Sequence, residues 1–230
     1  MSNNSTPCKV LLVPATSPAR PRGRRTSRPS GDDREAAILR TLEDMLDQRA
    51  FPEISVDDLA KGAGLSRPTF YFYFASKDAV LVSLFARAIA ASGADAQSRA
   101  AAAADDPKQA WHDGIYAFFD SLRPHRTVLL AGLAAMATNT ELRELWTTFM
   151  TGWIDYTAGL ITKERERGAA PDTIPAHDLA TALNLMNERV LFAAQGSQKP
   201  TLPEEAALHA LAHIWIAGIY GGTGDFAASV

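Results

Sequence analysis

Side chains that can donate hydrogen bonds are concentrated in the segment LSRPTFYFYFASKDAVL, residues 65–81. They include Ser66, Arg67, Thr69, Tyr71 and Tyr73. A guanidinium can bond to the edge of guanine in the major groove of DNA, and hydroxyl groups can bind phosphate oxygens. As a strand, the five consecutive aromatic residues 70–74 would alternate between two faces; as a helix, Phe70 and Phe74 share one face and both tyrosine hydroxyls stay outside. The segment is therefore a candidate nucleic-acid contact.

The sequence around this segment predicts two short helices joined by a tight turn. Ser55 is a candidate N-cap, with an acid three residues later as in a capping box. Gly62 and Gly64 end the first helix, and Ser66 begins a second one with Pro68 in its first turn, where proline is tolerated. A helix-turn-helix has this arrangement. The alternative is an ordinary helical hairpin inside a bundle, which would not place Arg, Thr and Tyr outside beside a glycine turn.

Charge is unevenly distributed along the 230 residues, although the net charge is only −3. Residues 20–77 carry 11 Lys/Arg and 9 Asp/Glu, whereas residues 78–230 carry 11 and 17. The most basic stretch is RPRGRRTSRPSG, which includes Arg22, Arg24 and Arg25. Proline and glycine keep this stretch from forming a helix. It is either a solvated tail or an arm that follows DNA phosphates or enters a minor groove.

The rest of the chain predicts an all-α protein of about nine helices and no strand. Apolar residues recur at helical spacing, Ser76 can cap a long helix, and Pro175 and Pro203 begin the last two helices. We expect a disordered leader with the basic arm at 1–30, a DNA-binding head at 31–77, and a ligand-binding and dimerisation body at 78–230.

Several other classes of protein do not fit the sequence. The single cysteine, Cys8, cannot form an intramolecular disulfide or a thiolate cluster, which favours a reducing cytoplasm. His209 and His213 have a zinc-like spacing but no evident third ligand, so we predict no metal. No phosphate loop or nucleophile elbow indicates an enzyme, and we expect neither catalytic residues nor a cofactor. No apolar run reaches the length that a membrane helix needs. Pro14 interrupts the short apolar patch near the N-terminus, so we interpret this segment as a disordered leader rather than a targeting signal.

The head resembles that of the TetR family of transcriptional regulators, in the pattern Thr-x-Tyr-x-x-Phe followed by Lys-Asp. The stretches ISVDDLAKGAG, RGAAPDTIPAHDLATALNLMNER and HIWIAGIYG extend the resemblance to this family from about Arg22 to Gly221. The resemblance implies a repressor that a small molecule relieves and that controls a neighbouring monooxygenase-type gene. A helical small-molecule carrier and a ligand-dependent activator are the alternatives.

Each residue of the head then has an expected role on double-stranded DNA. Arg67 is the candidate for base readout, and Pro68 and Thr69 can contact a thymine methyl group. By resemblance, the phosphate contacts are Ser55, Tyr71, Tyr73 and Lys77. The alternative for the lysine is a solvated surface position.

One head grips too few base pairs to be specific, so we expect a two-fold homodimer. The two C-terminal helices are the predicted dimer surface. Their candidate contacts are Leu179, Leu183, Met186, Leu208, Leu211 and Trp215.

The aromatic residues of the body either fill a core or line a tunnel for an apolar effector. Three polar residues within one apolar helix, Asn184, Asn187 and Glu188, favour the tunnel because buried amides need partners such as a ligand carbonyl or a water. The resemblance implies a lining of Trp111, Gly114, Phe118, Trp146, Met150, Trp153, Tyr156, Thr157, Asn184, Asn187, Glu188, Leu191, Phe192 and Trp215. Leu122 completes the lining at a position where the resemblance leads us to expect an aromatic ring.

Overall fold

The computed structural model describes residues 31–101, 106–196 and 199–221. Within those ranges the chain is all-α, without a strand, which confirms the predicted fold class. The helices are α1 (Gly31–Leu46), α2 (Val56–Gly62), α3 (Arg67–Tyr73), α4 (Lys77–Ala101), α5 (Pro107–Leu122), α6 (Arg126–Ala135), α7 (Thr140–Glu166), α8 (Ala176–Gln195) and α9 (Glu204–Tyr220). Two short 3-10 helices lie at Phe51–Glu53 and Arg123–His125. The predicted arm residues Arg22, Arg24 and Arg25 lie outside the described residues.

Local hydrogen bonds fix the two short helices of the head. The Ser55 hydroxyl accepts a bond from the Asp58 backbone N–H at 3.1 Å, and the Asp58 carboxylate accepts one from the Ser55 N–H at 2.9 Å, so the predicted capping box forms at α2. Ser66 caps α3 by accepting from the Thr69 N–H. Gly64 adopts a φ of +68° in the turn between them, which a residue with a side chain rarely adopts. The sequence therefore sets the angle between α2 and α3 locally.

Burial of aromatic rings holds α3 in place. A helix of seven residues is not stable alone in water, but Phe70 is fully buried and Phe74 nearly so. Their ring centroids lie 6.3 Å apart, within the same apolar cluster as Leu59 of α2 and Leu81 of α4. The aromatic run thus anchors the outward face of α3 to the core.

Helix α4 joins the head to the body. It packs against α1 on the head side and against α5, α6 and α7 on the body side. It approaches α6 closely, because a Cβ placed on Gly132 would lie 2.2 Å from Cδ2 of the fully buried Phe85. An ion pair of 2.7 Å between Arg87 and Glu35 adds a contact between α4 and α1. A displacement of α4 would therefore be felt in both parts of the molecule.

The exposed apolar face of the last two helices is not the one predicted. Five of the six expected dimer contacts, Leu179, Leu183, Leu208, Leu211 and Trp215, are buried within the chain itself, and Met186 is partly buried. This residue choice was wrong because helical spacing identifies an apolar stripe without telling which partner covers it. The large apolar side chains that α8 and α9 expose are Leu185, at 50%, and Ile214, at 44%.

Candidate nucleic-acid interface and ligand cavity

The exposed face of the head brings together most of the predicted DNA contacts. Ser55, Ser66, Arg67, Pro68 and Tyr71 are exposed, whereas Thr69 and Tyr73 are partly buried. The Thr69 hydroxyl is hydrogen-bonded to that of Ser66 at 2.8 Å. Ser66, Arg67 and Thr69 thus offer donors at the start of α3, whereas Tyr71 and Tyr73 lie further along that helix and Ser55 lies at the start of α2.

Arg67 is held by two partners on this face. Its Nη1 donates to both carboxylate oxygens of Asp57, each at 3.1 Å, and its Nη2 donates to the Tyr71 hydroxyl at 3.4 Å. The bond to Tyr71 and the charge of Asp57 raise the pKa of the Arg67 guanidinium further above its ordinary value. Arg67 is thus a charged and oriented donor before any ligand arrives.

Phe72 was missed by the sequence reasoning. Its side chain is 82% exposed, the highest value among the exposed large apolar residues of the described chain, and its ring lies 5.2 Å from that of Tyr73. The helical assignment of the aromatic run already implied this, because Phe72 lies about 200° around the helix from Phe70. An exposed ring beside Tyr73 adds an apolar contact surface to α3.

Lys77 occupies a different environment from the predicted phosphate contact. Its Nζ donates to the backbone carbonyls of Phe51, Pro52 and Ile54 at 3.1, 3.2 and 2.8 Å, and lies 4.7 Å from the centre of the Phe51 ring. An ammonium group has three N–H donors, so all of them are used inside the head. A phosphate contact would require these bonds to break, and the solvated surface position does not describe Lys77 either.

A cavity of about 200 Å³ lies in the body between α5, α7, α8 and α9. Its lining is mainly apolar: Pro107, Ala110, Trp111, Gly114, Ile115, Phe118, Trp153, Tyr156, Thr157, Leu160, Glu164, Asn184, Asn187 and Trp215. The ring centroids of Phe118 and Trp153 lie 4.9 Å apart, edge to face, and those of Trp111 and Trp215 lie 5.5 Å apart. The rings form rigid walls.

A second cavity of only about 10 Å³ adjoins the first, with Phe118, Asn184 and Asn187 lining both. Its remaining lining is Leu122, Trp146, Met150, Glu188, Leu191 and Phe192. Each of the fifteen residues predicted to line a tunnel lies against one of these two spaces. Leu122 is fully buried at the narrow end, where the expected aromatic ring is replaced by a smaller side chain.

The polar side chains of the cavity bond to one another. Asn184 donates to the Thr157 hydroxyl at 3.1 Å and to a backbone carbonyl, the Asn187 carbonyl accepts from the Trp215 indole at 2.9 Å, and the Glu188 carboxylate accepts from the Trp146 indole at 2.7 Å. The amides thus have the partners that their burial requires, but for the donors of Asn184 and the acceptor of Asn187 these are protein groups rather than a ligand or a water. Protein partners fix these side chains in defined orientations.

A further polar chain at the cavity was not predicted. Trp111 donates to the Tyr220 hydroxyl at 3.0 Å, and Tyr220 donates to Glu164 at 2.6 Å, which also accepts from Arg167. Burial, and then the bond to Glu164, raise the pKa of Tyr220 to about 12, while the bond from Arg167 lowers the pKa of Glu164. The spacing of Thr157, Leu160 and Glu164 could have placed this carboxylate on the cavity face, but the surrounding charges indicated a solvated helix end.

Among the residues that the structure describes, no three His, Cys, Asp or Glu side chains come together as a metal ion would require. His209 and His213 both lie on the exposed side of α9. None of the helices given above combines the length and the hydropathy that crossing a bilayer requires.

Comparison with known proteins matches both parts of the molecule. Residues 38–84 match the bacterial regulatory proteins of the tetR family, and residues 111–221 match the C-terminal domain of the transcriptional regulator EthR. The HTH-type transcriptional regulator EthR of Mycobacterium tuberculosis (strain H37Rv) is 57% identical over 202 residues, covering 87% of this chain and 94% of that protein. EthR of Mycolicibacterium smegmatis is 51% identical over 210 residues, covering 91% and 97%.

A crystal structure of a TetR-family regulator from Rhodococcus sp. shares the fold with a TM-score of 0.67. It is 15% identical and covers 81% of this chain and 99% of that one.

Proposed function

The chain belongs to the TetR family of bacterial regulatory proteins and resembles EthR within it, and on that basis we propose that it is a sequence-specific DNA-binding repressor relieved by an apolar small molecule. The family consists of regulators rather than enzymes. The observation that carries the proposal is the pairing of a helix-turn-helix, with Arg67 and Tyr71 exposed on one face, and an aromatic cavity behind it.

We assign DNA reading to the head, up to residue 77. The start of α3 enters the major groove, where Arg67 contacts a guanine edge while Pro68 and Thr69 face a thymine methyl group. Ser66, Tyr71 and Tyr73 bind phosphates and fix the register. The N–H and the hydroxyl of Ser55 are already bonded to Asp58, so a phosphate contact there requires these bonds to break. Lys77 supports this surface from inside, because its ammonium stabilises the backbone between α1 and α2.

A homodimer through α8 and α9 gives the molecule two heads. The exposed residues Leu185 and Ile214, with the small residues Ala182, Ala206 and Ala217 on the same sides of the helices, provide a surface suited to helix packing. A two-fold axis there presents two heads to half-sites about 34 Å apart. Sedimentation of the purified protein tests this, and a monomer at micromolar concentration would contradict it.

The effector is an apolar molecule that lies among the aromatic rings of the first cavity and extends into the second, smaller one. The rings of Phe118 and Trp153 provide apolar contact, and the NH₂ group of Asn187, whose carbonyl is already bonded to Trp215, is a donor for a ligand carbonyl. The binding releases DNA if it favours a different position of α4, which packs on both parts. A preference of about 3 kcal/mol weakens DNA binding roughly a hundredfold.

The resemblance described above also leads us to propose a neighbouring monooxygenase-type gene as the target. Transcript levels of adjacent genes in a strain lacking the regulator test this directly. A rise of such a transcript supports the proposal, whereas a fall indicates the ligand-dependent activator instead.

The deciding experiment is fluorescence anisotropy of the purified full chain with DNA from upstream of its own gene and with scrambled DNA of equal length. We expect a preference for the native DNA and an affinity that falls steeply with salt. Protein stripped of ligand by unfolding and refolding controls for an effector that already occupies the cavity. If stripped protein shows no preference for any genomic fragment, the proposal of a repressor is refuted, and a helical small-molecule carrier becomes the better interpretation.

A further inference from the structure

We propose that Asp57 determines specificity by directing Arg67 towards a neutral base and away from phosphates. The inference rests on the proposed function, because it assumes that the start of α3 contacts DNA. Nothing in the sequence singled out Asp57, which lies beside the capping acid Asp58 and reads as a second acid of the same helix turn.

The contacts separate the roles of the two neighbouring acids. Asp58 closes the capping box through both the N–H and the hydroxyl of Ser55. The carboxylate of Asp57 instead points to Arg67, ten residues later, with both oxygens 3.1 Å from Nη1. The two side chains are 66% and 57% exposed, so they lie on the surface rather than in the core. Exposed pairs of this kind contribute little to folding stability.

The position of the carboxylate leaves part of the guanidinium for another partner. An arginine side chain has five N–H donors in a fixed planar arrangement. With Nη1 directed to Asp57 and Nη2 near the Tyr71 hydroxyl, the plane of the guanidinium is held by two residues of the head. The donors that remain can meet a guanine edge without the loss of either partner.

The charge of Asp57 distinguishes between the two kinds of DNA contact. A guanine edge carries no net charge, so it approaches the Arg67–Asp57 pair with less repulsion than a phosphate does. A phosphate that binds Arg67 lies close to the carboxylate, and like charges repel. Contacts with phosphates dominate on non-specific DNA. Asp57 therefore weakens non-specific complexes more than the specific one.

The test measures the affinity ratio between native upstream DNA and scrambled DNA by anisotropy for stripped full-length protein. For Asp57→Asn, which removes the charge and keeps the shape, we expect scrambled DNA to bind about two- to fivefold tighter, with a smaller change for native DNA. The slope of log affinity against log salt should become steeper by roughly one on scrambled DNA, as for one added phosphate contact. Asp57→Glu keeps the charge and should keep a ratio near that of the unchanged protein.

Asp47→Asn is the matched control for net charge, since Asp47 is an exposed acid just after α1 and outside the α2–α3 unit. It should change both affinities equally. In an Arg67→Ala background, Asp57→Asn should no longer change the ratio. An unchanged or increased ratio for Asp57→Asn, in protein with an unaltered melting temperature, would overturn the role of Asp57. If the unchanged protein itself shows no preference for native DNA, the proposed function fails, and the inference with it.

Discussion

Replacing Gly132 by alanine tests whether the contact between α4 and α6 is as close as the structure describes. The added Cβ would lie 2.2 Å from Cδ2 and 2.4 Å from Cε2 of Phe85. That ring is fully buried and lies 6.1 Å from the ring of Trp146, centre to centre, so it has little room to move. Overpacking costs about 1–3 kcal/mol, whereas Gly→Ala within a helix returns about 0.5–1 kcal/mol. We expect a net loss of roughly 1–2 kcal/mol in the free energy of unfolding.

The matched control is the same substitution at Gly159 of α7, an exposed helical position where an added Cβ meets nothing within 4 Å. Gly159→Ala should stabilise the protein by about 0.5 kcal/mol. Urea unfolding followed by circular dichroism compares the two variants, and a change of the midpoint with an unchanged m-value isolates stability. In a chain of this length, Gly132→Ala should melt roughly 2–8 °C lower. Equal stability of the two variants would refute the close approach of α4 to α6.

Three further predictions concern single polar groups. Lys77→Met leaves the carbonyls of the 3-10 turn without their donor and should lower the free energy of unfolding by about 1–3 kcal/mol in urea titrations; an unchanged midpoint would show that the ammonium is not held there. Asn187→Leu removes the acceptor of the Trp215 indole and should cost about 1–3 kcal/mol of stability, with loss of effector affinity by calorimetry; full retention of both would contradict the cavity hydrogen bond. Because the pKa of Tyr220 is raised from 10.0 to about 12 in the folded chain, the stability it contributes falls as pH rises from 10 towards 12. Thermal melts of Tyr220→Phe should lack this part of the decline, and parallel curves for both proteins would exclude the shift.

Local rules were sufficient for the parts of the fold that local bonds determine. The capping box at Ser55 follows from side chains that bond within three residues. The turn before α3 follows from the positive φ that Gly64 can adopt. The burial of Phe70 and Phe74 follows from their separation by one helical turn. The residues that line the cavity were predicted from the resemblance to the family instead, because periodicity alone does not distinguish a filled core from a cavity.

Contacts between distant segments could not be predicted. Lys77 lies more than twenty residues after the carbonyl groups that it bonds at residues 51–54. These bonds therefore depend on how the start of α4 packs against the rest of the head. The bond between Tyr220 and Glu164 joins two helices 56 residues apart. For α8 and α9, the sequence pattern identified apolar residues correctly but could not assign them to the inside or to a partner, since both environments select the same residue types.

The arrangement of indoles around the cavity gives the protein a built-in optical reporter. The chain has four tryptophans, Trp111, Trp146, Trp153 and Trp215, and each of them lines one of the two cavities. The indole N–H groups of three of them are hydrogen-bonded to cavity side chains or to Tyr220. Residues 31–77 contain none. Entry of a molecule that occupies both cavities therefore changes the surroundings of every indole. Tryptophan emission then reports on the cavities while a dye on DNA reports on the head, and one titration can follow the two events separately.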